Sequence, residues 1–212
     1  NVGVNTNTEN YVAWAWAAGN SGASNTDGTI NTTSTFVDTT AGISVSTYTG
    51  NGTDGATVGH GLGVTPKTVL IFQRSNNDHH TISNWRDGVT AFTEKMNLDR
   101  DDAADGSSTQ IKGGSSTTFT LGSDAGLNGD TRTYVAYCWA EVHGFSRFGT
   151  YTGNGDADGP FAWCGFKPAW VMVKPESRSD GWIVWDTKRN TFNLTNLYLQ
   201  AGSSNQEFTA TV

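Results

Sequence analysis

Hydrophobic and polar residues alternate along most of the chain in short runs separated by turn sequences. Pairs such as Asp27-Gly28, Asn51-Gly52 and Asn154-Gly155 mark turns between the runs. No window of about 11 residues shows a helical period, so no helix longer than a short turn near residues 92–98 is expected. The pattern predicts an all-β protein with strands at residues 11–17, 29–37, 43–49, 67–73, 81–86, 117–121, 133–142, 146–152, 169–174, 181–186 and 194–200.

Residues 133–142 carry apolar side chains on both faces of the predicted strand. One face holds Tyr134, Ala136, Cys138 and Ala140, and the other holds Val135, Tyr137, Trp139 and Glu141. This pattern predicts a central strand of a sandwich whose second face is partly buried.

Two blocks of sequence occur twice. The hexapeptide Thr-Tyr-Thr-Gly-Asn-Gly at residues 47–52 returns at residues 150–155, and the residues that follow the two copies also match. The block Tyr-Val-Ala-Trp-Ala-Trp at residues 11–16 returns as Tyr-Val-Ala-Tyr-Cys-Trp at residues 134–139. Six identical consecutive positions with collinear matches beyond them indicate an internal duplication.

The order of the two blocks predicts tandem antiparallel β-sandwich units of about 100 residues, the size of a jelly-roll or immunoglobulin domain. Residues 1–20 are then the tail of a preceding unit, residues 21–143 a complete unit, and residues 144–212 a second, incomplete unit (the C-terminal unit). Either the natural chain is longer, or residues 1–20 complete the last unit by a permuted pairing. We favour a longer chain, since the second unit still needs counterparts of residues 117–121 and 134–139 after Val212.

The composition of the chain excludes several classes of binding partner. The chain has 212 residues, a net charge of −7, and only 16% charged residues. Nucleic acid and anionic membrane surfaces are not expected as partners, because both need clustered Lys and Arg. No apolar run is long enough to insert into a membrane. An acidic chain rich in Thr, Asn and Gly is typical of extracellular or virion-surface β-proteins.

Few residues predict chemistry. Cys138 and Cys164 are most simply buried apolar residues, and the two cysteines do not form a disulfide framework. His79 and His80 lie in a polar loop that either binds a metal or is simply exposed. The sequence has no Gly-x-Ser-x-Gly elbow and no phosphate-binding loop, and none of its five glutamates lies in a block shared by the two copies. We therefore expect no enzymatic activity.

An acidic loop is a weak calcium candidate through Asp99, Asp101 and Asp105. An EF-hand loop that starts at Asp101 fails, because its third position is Ala103 and its twelfth is Lys112. Aspartates in turns need no metal. We expect no cofactor, with calcium as the alternative.

Aromatic side chains are the remaining candidates for ligand binding. Trp163, Trp170 and Trp182 are the residues that we select, since flat aromatic faces bind sugar rings. The alternative is that each of them fills the core. Tyr48 and Tyr151 occupy equal positions of the two copies, which favours packing for both.

A set of distinctive segments runs along the chain, at residues 11–16, 25–30, 39–44, 47–52, 58–67, 159–170 and 186–190. These segments resemble virion proteins of tailed bacteriophages, and the resemblance covers nearly the whole chain. Proteins of this group are long, with tandem units downstream of a concanavalin-like domain, and they are typical of aquatic and cyanobacterial phages. The resemblance brings no catalytic residue with it.

The resemblance implies a structural, non-enzymatic protein of the virion surface. We expect a tail-fibre or surface-appendage segment that contributes to host adhesion through many weak contacts. Its expected partners are other virion proteins, a host cell-surface glycan, and further copies of the chain, with a trimer suspected. The alternatives are a passive capsid-decoration or spacer protein and a carbohydrate-binding module of a secreted bacterial protein.

Overall fold

A computed structural model of the chain describes residues 6–19, 21–75, 81–83, 92, 94–106, 110–190 and 195–210. Within these residues the chain forms thirteen strands and a single helical turn, α1 (Ala125–Asn128). The strands are β1 (Ser34–Asp38), β2 (Ile43–Thr49), β3 (Thr57–Gly59), β4 (Thr68–Gln73), β5 (Thr81–Ser83), β6 (Lys95–Asn97), β7 (Ile111–Gly114), β8 (Thr118–Leu121), β9 (Thr133–Trp139), β10 (Trp170–Val173), β11 (Trp182–Asp186), β12 (Leu197–Ala201) and β13 (Phe208–Thr209).

The strands form three antiparallel sheets. A six-stranded sheet has the order β1-β2-β9-β4-β5-β6, a three-stranded sheet the order β3-β8-β7, and a four-stranded sheet the order β10-β11-β12-β13. The prediction of an all-β fold built from antiparallel sheets is confirmed.

The main core lies between the six-stranded and three-stranded sheets. It joins Val69 and Ile71 of β4 to Phe119 and Leu121 of β8. The central strand β9 contributes Tyr134, Ala136 and Cys138, all fully buried, as the sequence predicted for that face. The opposite face of β9 is half-buried, which is also the predicted pattern. Residues 21–143 thus contain a closed sandwich.

Two stacked tyrosines lie at the centre of this sandwich. Tyr48 of β2 lies directly opposite Tyr134 of β9, and their rings stack at 5.1 Å between centroids. The Tyr48 hydroxyl donates a hydrogen bond to the Leu127 carbonyl of α1 at 2.7 Å. The sheet and the helical turn are therefore joined through one buried side chain.

The four-stranded sheet packs on the main sandwich through a smaller apolar cluster. Met96 of β6 and Trp182 of β11 are its buried members, and Leu70, Leu98, Ala104, Met172 and Ala201 surround them. The indole nitrogen of Trp182 donates to the Asn97 carbonyl at 2.9 Å. This contact places β11 against β6.

Three predictions of local structure are wrong. Residues 11–17 and 146–152 are not strands, and Lys95–Asn97 form β6 where the sequence allowed a helical turn. Alternation alone does not make a strand, because a strand also needs a hydrogen-bonded neighbour. Residues 84–86 of the predicted strand 81–86 lie outside the described residues. The proposed unit boundaries stay a prediction.

Candidate functional site

The three selected tryptophans lie in different environments. Trp163 is 72% exposed, whereas Trp182 is buried in the cluster with Met96. Trp170 is half-buried, and its ring contacts go to Trp14 and Trp16. The structure does not bring the three rings together, and only Trp163 offers an open face to a ligand.

Trp163 has an exposed aromatic neighbour that sequence analysis did not select. Phe161 is 86% exposed, and its ring centroid lies 6.3 Å from that of Trp163, with 49° between the ring planes. We call Phe161 and Trp163 the aromatic pair. Large apolar side chains rarely stay this open in adjacent positions unless they meet a partner.

The repeat explains why the aromatic pair faces outwards. Gly63 aligns with Gly165, so Gly59 and Gly61 of the complete unit align with Phe161 and Trp163. The core residues of the complete unit alternate with these glycines at Val58, His60 and Leu62, which are buried. The aromatic pair therefore replaces glycines at positions that do not supply the core.

In the complete unit these glycines lie under a covering segment. A Cβ atom at Gly59 would collide with the side chain of Asn25, and Ile30 pairs with Val58 beside it. The covering segment lies within residues 17–46, between the two repeated blocks. The corresponding stretch of the C-terminal unit, residues 140–149, is much shorter. This shorter stretch has no counterpart of the covering segment, and the positions of the two glycines are occupied by Phe161 and Trp163.

Residues around the aromatic pair form turns rather than strands. Gly165 has a φ of +79°, a left-handed conformation that glycine adopts readily. Asp156 accepts a hydrogen bond from the amide of Asp158 at 3.1 Å in the preceding repeated turn. Such turns hold the connecting segment on the surface, where binding residues are common.

The acidic loop does not assemble a cation site in the described structure. Asp105 lies 3.9 Å from Lys95, and Asp102 lies 3.6 Å from Arg100, so cationic side chains neighbour these carboxylates. Asp101 is exposed, and its carbonyl accepts a hydrogen bond from the Asp180 amide. Among the described residues, no group of three or more acidic, His or Cys side chains could hold a metal ion. His79 and His80 lie outside the described residues.

The cysteines differ in environment. Cys138 is buried in the core, and burial raises the pKa of its thiol to about 12. Both cysteines are free, and Cys164 is only partly buried. The expectation of a buried apolar cysteine is confirmed for Cys138 and is wrong for Cys164, which lies in the open turn region beside the aromatic pair.

One buried ion pair lies beside Trp170. The Arg189 guanidinium approaches the Asp186 carboxylate at 2.7 Å, and both side chains are buried. Burial alone would raise the pKa of Asp186, but hydrogen bonds from Arg189 and from the Lys188 amide bring it below its usual value. A buried pair of this kind fixes the end of β11.

The predicted packing of Tyr151 is wrong. Its counterpart Tyr48 is only 1% exposed, whereas Tyr151 is 55% exposed. The stacking partner of Tyr48 is on β9, and the described part of the C-terminal unit holds no strand in that position.

Comparison with known families gives one match. A family model described as "Domain of unknown function (DUF7483)" matches residues 1–212. The chain belongs to the DUF7483 family. No match was found among curated proteins or among solved structures.

The DUF7483 match covers both the closed sandwich and the C-terminal unit. The family description names no substrate or partner, so function has to be argued from the geometry of the site. In the described part of the chain, no helix is long and apolar enough to cross a membrane.

Sequence reasoning missed Phe161, although a signal for it was present. Tryptophan content led to Trp163, but the exchange of glycine for a large aromatic residue between two repeat copies identifies both members of the aromatic pair. The fold accepts glycine at these two positions in the complete unit, so folding alone does not explain the aromatic residues in the C-terminal unit.

Proposed function

We propose that this chain is a non-enzymatic structural segment of a tailed-phage virion appendage that attaches to a glycan on the host surface through Phe161 and Trp163. The observation that carries the proposal is the exposure of these two rings, side by side, at positions where the repeat partner has glycine.

The shape of the aromatic pair suits a sugar. Two rings inclined at 49° form a shallow apolar corner, and the C–H face of a pyranose packs on such rings while its hydroxyl groups stay in water. The negative net charge of the chain favours a neutral glycan over an acidic one.

We expect a single site of two rings to bind a glycan with low affinity. Firm attachment comes from many copies of the site along an appendage and across an oligomer, because linked sites bind with a raised effective concentration. The expected assembly partners are therefore further copies of the chain and other virion proteins.

An array of bacterial surface glycans tests the site. The wild-type chain, clustered on a multivalent carrier, is compared with the Phe161→Ala/Trp163→Ala variant. Loss of both rings should reduce the signal on the bound glycan at least about tenfold, since stacked rings contribute on the order of 1 kcal/mol each before multivalency. Trp182→Phe is the matched control, because Trp182 is buried and should leave glycan binding unchanged.

Two results would contradict the proposal. The wild-type chain could bind no glycan even when clustered, which would favour a spacer role. Alternatively, the double variant could bind as well as the wild type, which would place the binding site elsewhere.

A further inference from the structure

The strand β10 has one edge without a partner strand. It pairs with β11 on one side, and no described strand pairs with the other side. Its repeat counterpart in the complete unit is β4, which lies between β5 and β9. An open edge presents unpaired N–H and C=O groups that accept a further strand.

The chain contains a segment with the sequence of the missing neighbour. Residues 11–16 repeat residues 134–139, which form nearly all of β9. In the complete unit Trp139 of β9 lies directly opposite Thr68 of β4. The repeat counterparts of these two residues are Trp16 and Trp170.

Trp16 and Trp170 are in contact in this structure. Their ring centroids lie 5.6 Å apart, nearly perpendicular at 85°. Trp14 also reaches Trp170, at 6.4 Å, which is the diagonal neighbour that the same register predicts. These two ring contacts are the ones that the register of a β9-type strand predicts, although the described backbone of residues 11–16 makes no hydrogen bonds to β10.

A polar anchor strengthens this contact. The indole nitrogen of Trp14 donates to Asp186 at 3.3 Å, and Asp186 lies opposite Trp170 across the β10–β11 pair. Arg189 holds the same carboxylate oxygen in place. The Trp170 indole nitrogen is buried and has no acceptor among the described residues, so a carbonyl group brought in by a docked strand could satisfy it.

The repeat also predicts a neighbour on the other side of the inserted strand, at residues 146–152. In the complete unit β9 lies between β4 and β2, where Tyr134 stacks on Tyr48. The counterparts of these residues are Tyr11 and Tyr151, and both are about half exposed. Pairing of residues 11–16 with residues 146–152 would place these two tyrosines opposite each other.

We propose that residues 11–16 are the β9-type strand of the C-terminal unit of the same chain, which is the permuted pairing that the sequence left as the alternative to a preceding unit. The segment inserts between β10 and residues 146–152, antiparallel to β10, with Trp16 opposite Trp170 and Ala15 opposite Val171. The N-terminal segment and the C-terminal unit then form one continuous sheet, and the open edge of β10 is covered. This inference does not depend on glycan binding, since the aromatic pair lies outside the inserted strand.

Paired cysteines in the full-length chain test the register. In a Cys164→Ser background, Ala15→Cys/Val171→Cys places two cysteines at the proposed cross-strand pair, where Cβ atoms lie close enough for a disulfide. Ala15→Cys/Val173→Cys is the matched control, shifted by two residues along the same face. Under mild oxidation the matched pair should form its disulfide at least about tenfold faster than the shifted pair, within single chains, as read by mass spectrometry and gel filtration. Cys138 stays out of the reaction, because it is buried with a raised pKa.

Equal rates for the two pairs, no disulfide in the matched pair, or a matched disulfide only between chains would each overturn the proposal. Hydrogen exchange of the wild-type chain gives a second reading if the variants fold poorly. Amides of residues 11–16 and of Trp170–Val173 should exchange at least about tenfold more slowly than in free peptides. Exchange of residues 11–16 at free-peptide rates would also overturn the inserted strand.

Discussion

At the residue scale, His60 shows how a polar side chain is accommodated in the core. It is fully buried, and its Nδ1 accepts a hydrogen bond from the Leu62 amide at 3.1 Å. Its Nε2 lies 3.2 Å from the Ser115 carbonyl, so Nε2 carries the proton. A neutral ring thus joins residues 60–62 to the turn between β7 and β8.

The pKa of His60 predicts a pH dependence of stability. Burial lowers this pKa below its ordinary value of 6.5, although the Ser115 carbonyl and the charge of Asp27 act in the opposite direction. Between the lowered pKa and 6.5 the unfolded chain binds more protons, so the free energy of unfolding should fall as the pH drops through this window. The contribution is fully present above pH 6.5.

Urea unfolding of wild type and His60→Gln at about pH 7.5 and pH 5 measures this effect. The glutamine variant should lose about 1 kcal/mol at the higher pH and should depend less on pH. Ionisable groups elsewhere titrate equally in both proteins and cancel in the comparison. Identical pH dependence of the two proteins would contradict the lowered pKa.

At the element scale, β2 and residues 146–152 end in the same Thr-Tyr-Thr sequence and have different structures. β2 pairs with β1 and β9 and buries Tyr48, whereas residues 146–152 form no strand and expose Tyr151. The difference lies in their neighbours, because β9 has its place beside β2 and no described strand lies beside residues 146–152.

A matched pair of substitutions measures this difference. Tyr48→Phe leaves the Leu127 carbonyl without its buried donor and should lower the free energy of unfolding by about 1–2 kcal/mol. Tyr151→Phe should change it by less than about 0.5 kcal/mol, since the Tyr151 hydroxyl has no hydrogen-bond partner among the described residues. Chemical denaturation of both variants gives the two free energies of unfolding. Equal decreases in the two variants would contradict the structural difference between Tyr48 and Tyr151.

The strands that could be predicted from sequence are those with long alternation and several partners. β2 was predicted with its observed bounds, and β4, β9 and β11 within a few residues. Short strands such as β3, β6 and β13 were missed, because their pairing depends on distant partners rather than on their own two or three residues. The same holds for the candidate site. The sequence selects Trp163 and Trp182 alike as tryptophans, and only the packing of the sheets shows that Trp163 is exposed and Trp182 is buried.

At the scale of the whole molecule, the chain combines a closed sandwich with a C-terminal unit that exposes apolar residues. Among the described residues, the exposed large apolar side chains outside residues 11–16 and 145–171 are Phe36 and Val64. Strand insertion accounts for the group at residues 11–16 and for Tyr151. The aromatic pair lies outside the inserted segment, so its exposure needs a separate explanation, and we propose a ligand for it.

Attachment of this chain to a host surface through Phe161 and Trp163 is the central proposal. The most direct measurement is saturation binding of the labelled, clustered wild-type chain to a panel of aquatic bacteria, cyanobacteria included, with the Phe161→Ala/Trp163→Ala variant beside it and purified surface polysaccharides as competitors. We predict saturable binding to at least one host that its own polysaccharide abolishes and that the double variant loses. Absence of saturable binding across the panel, or equal binding by the double variant, would contradict the account.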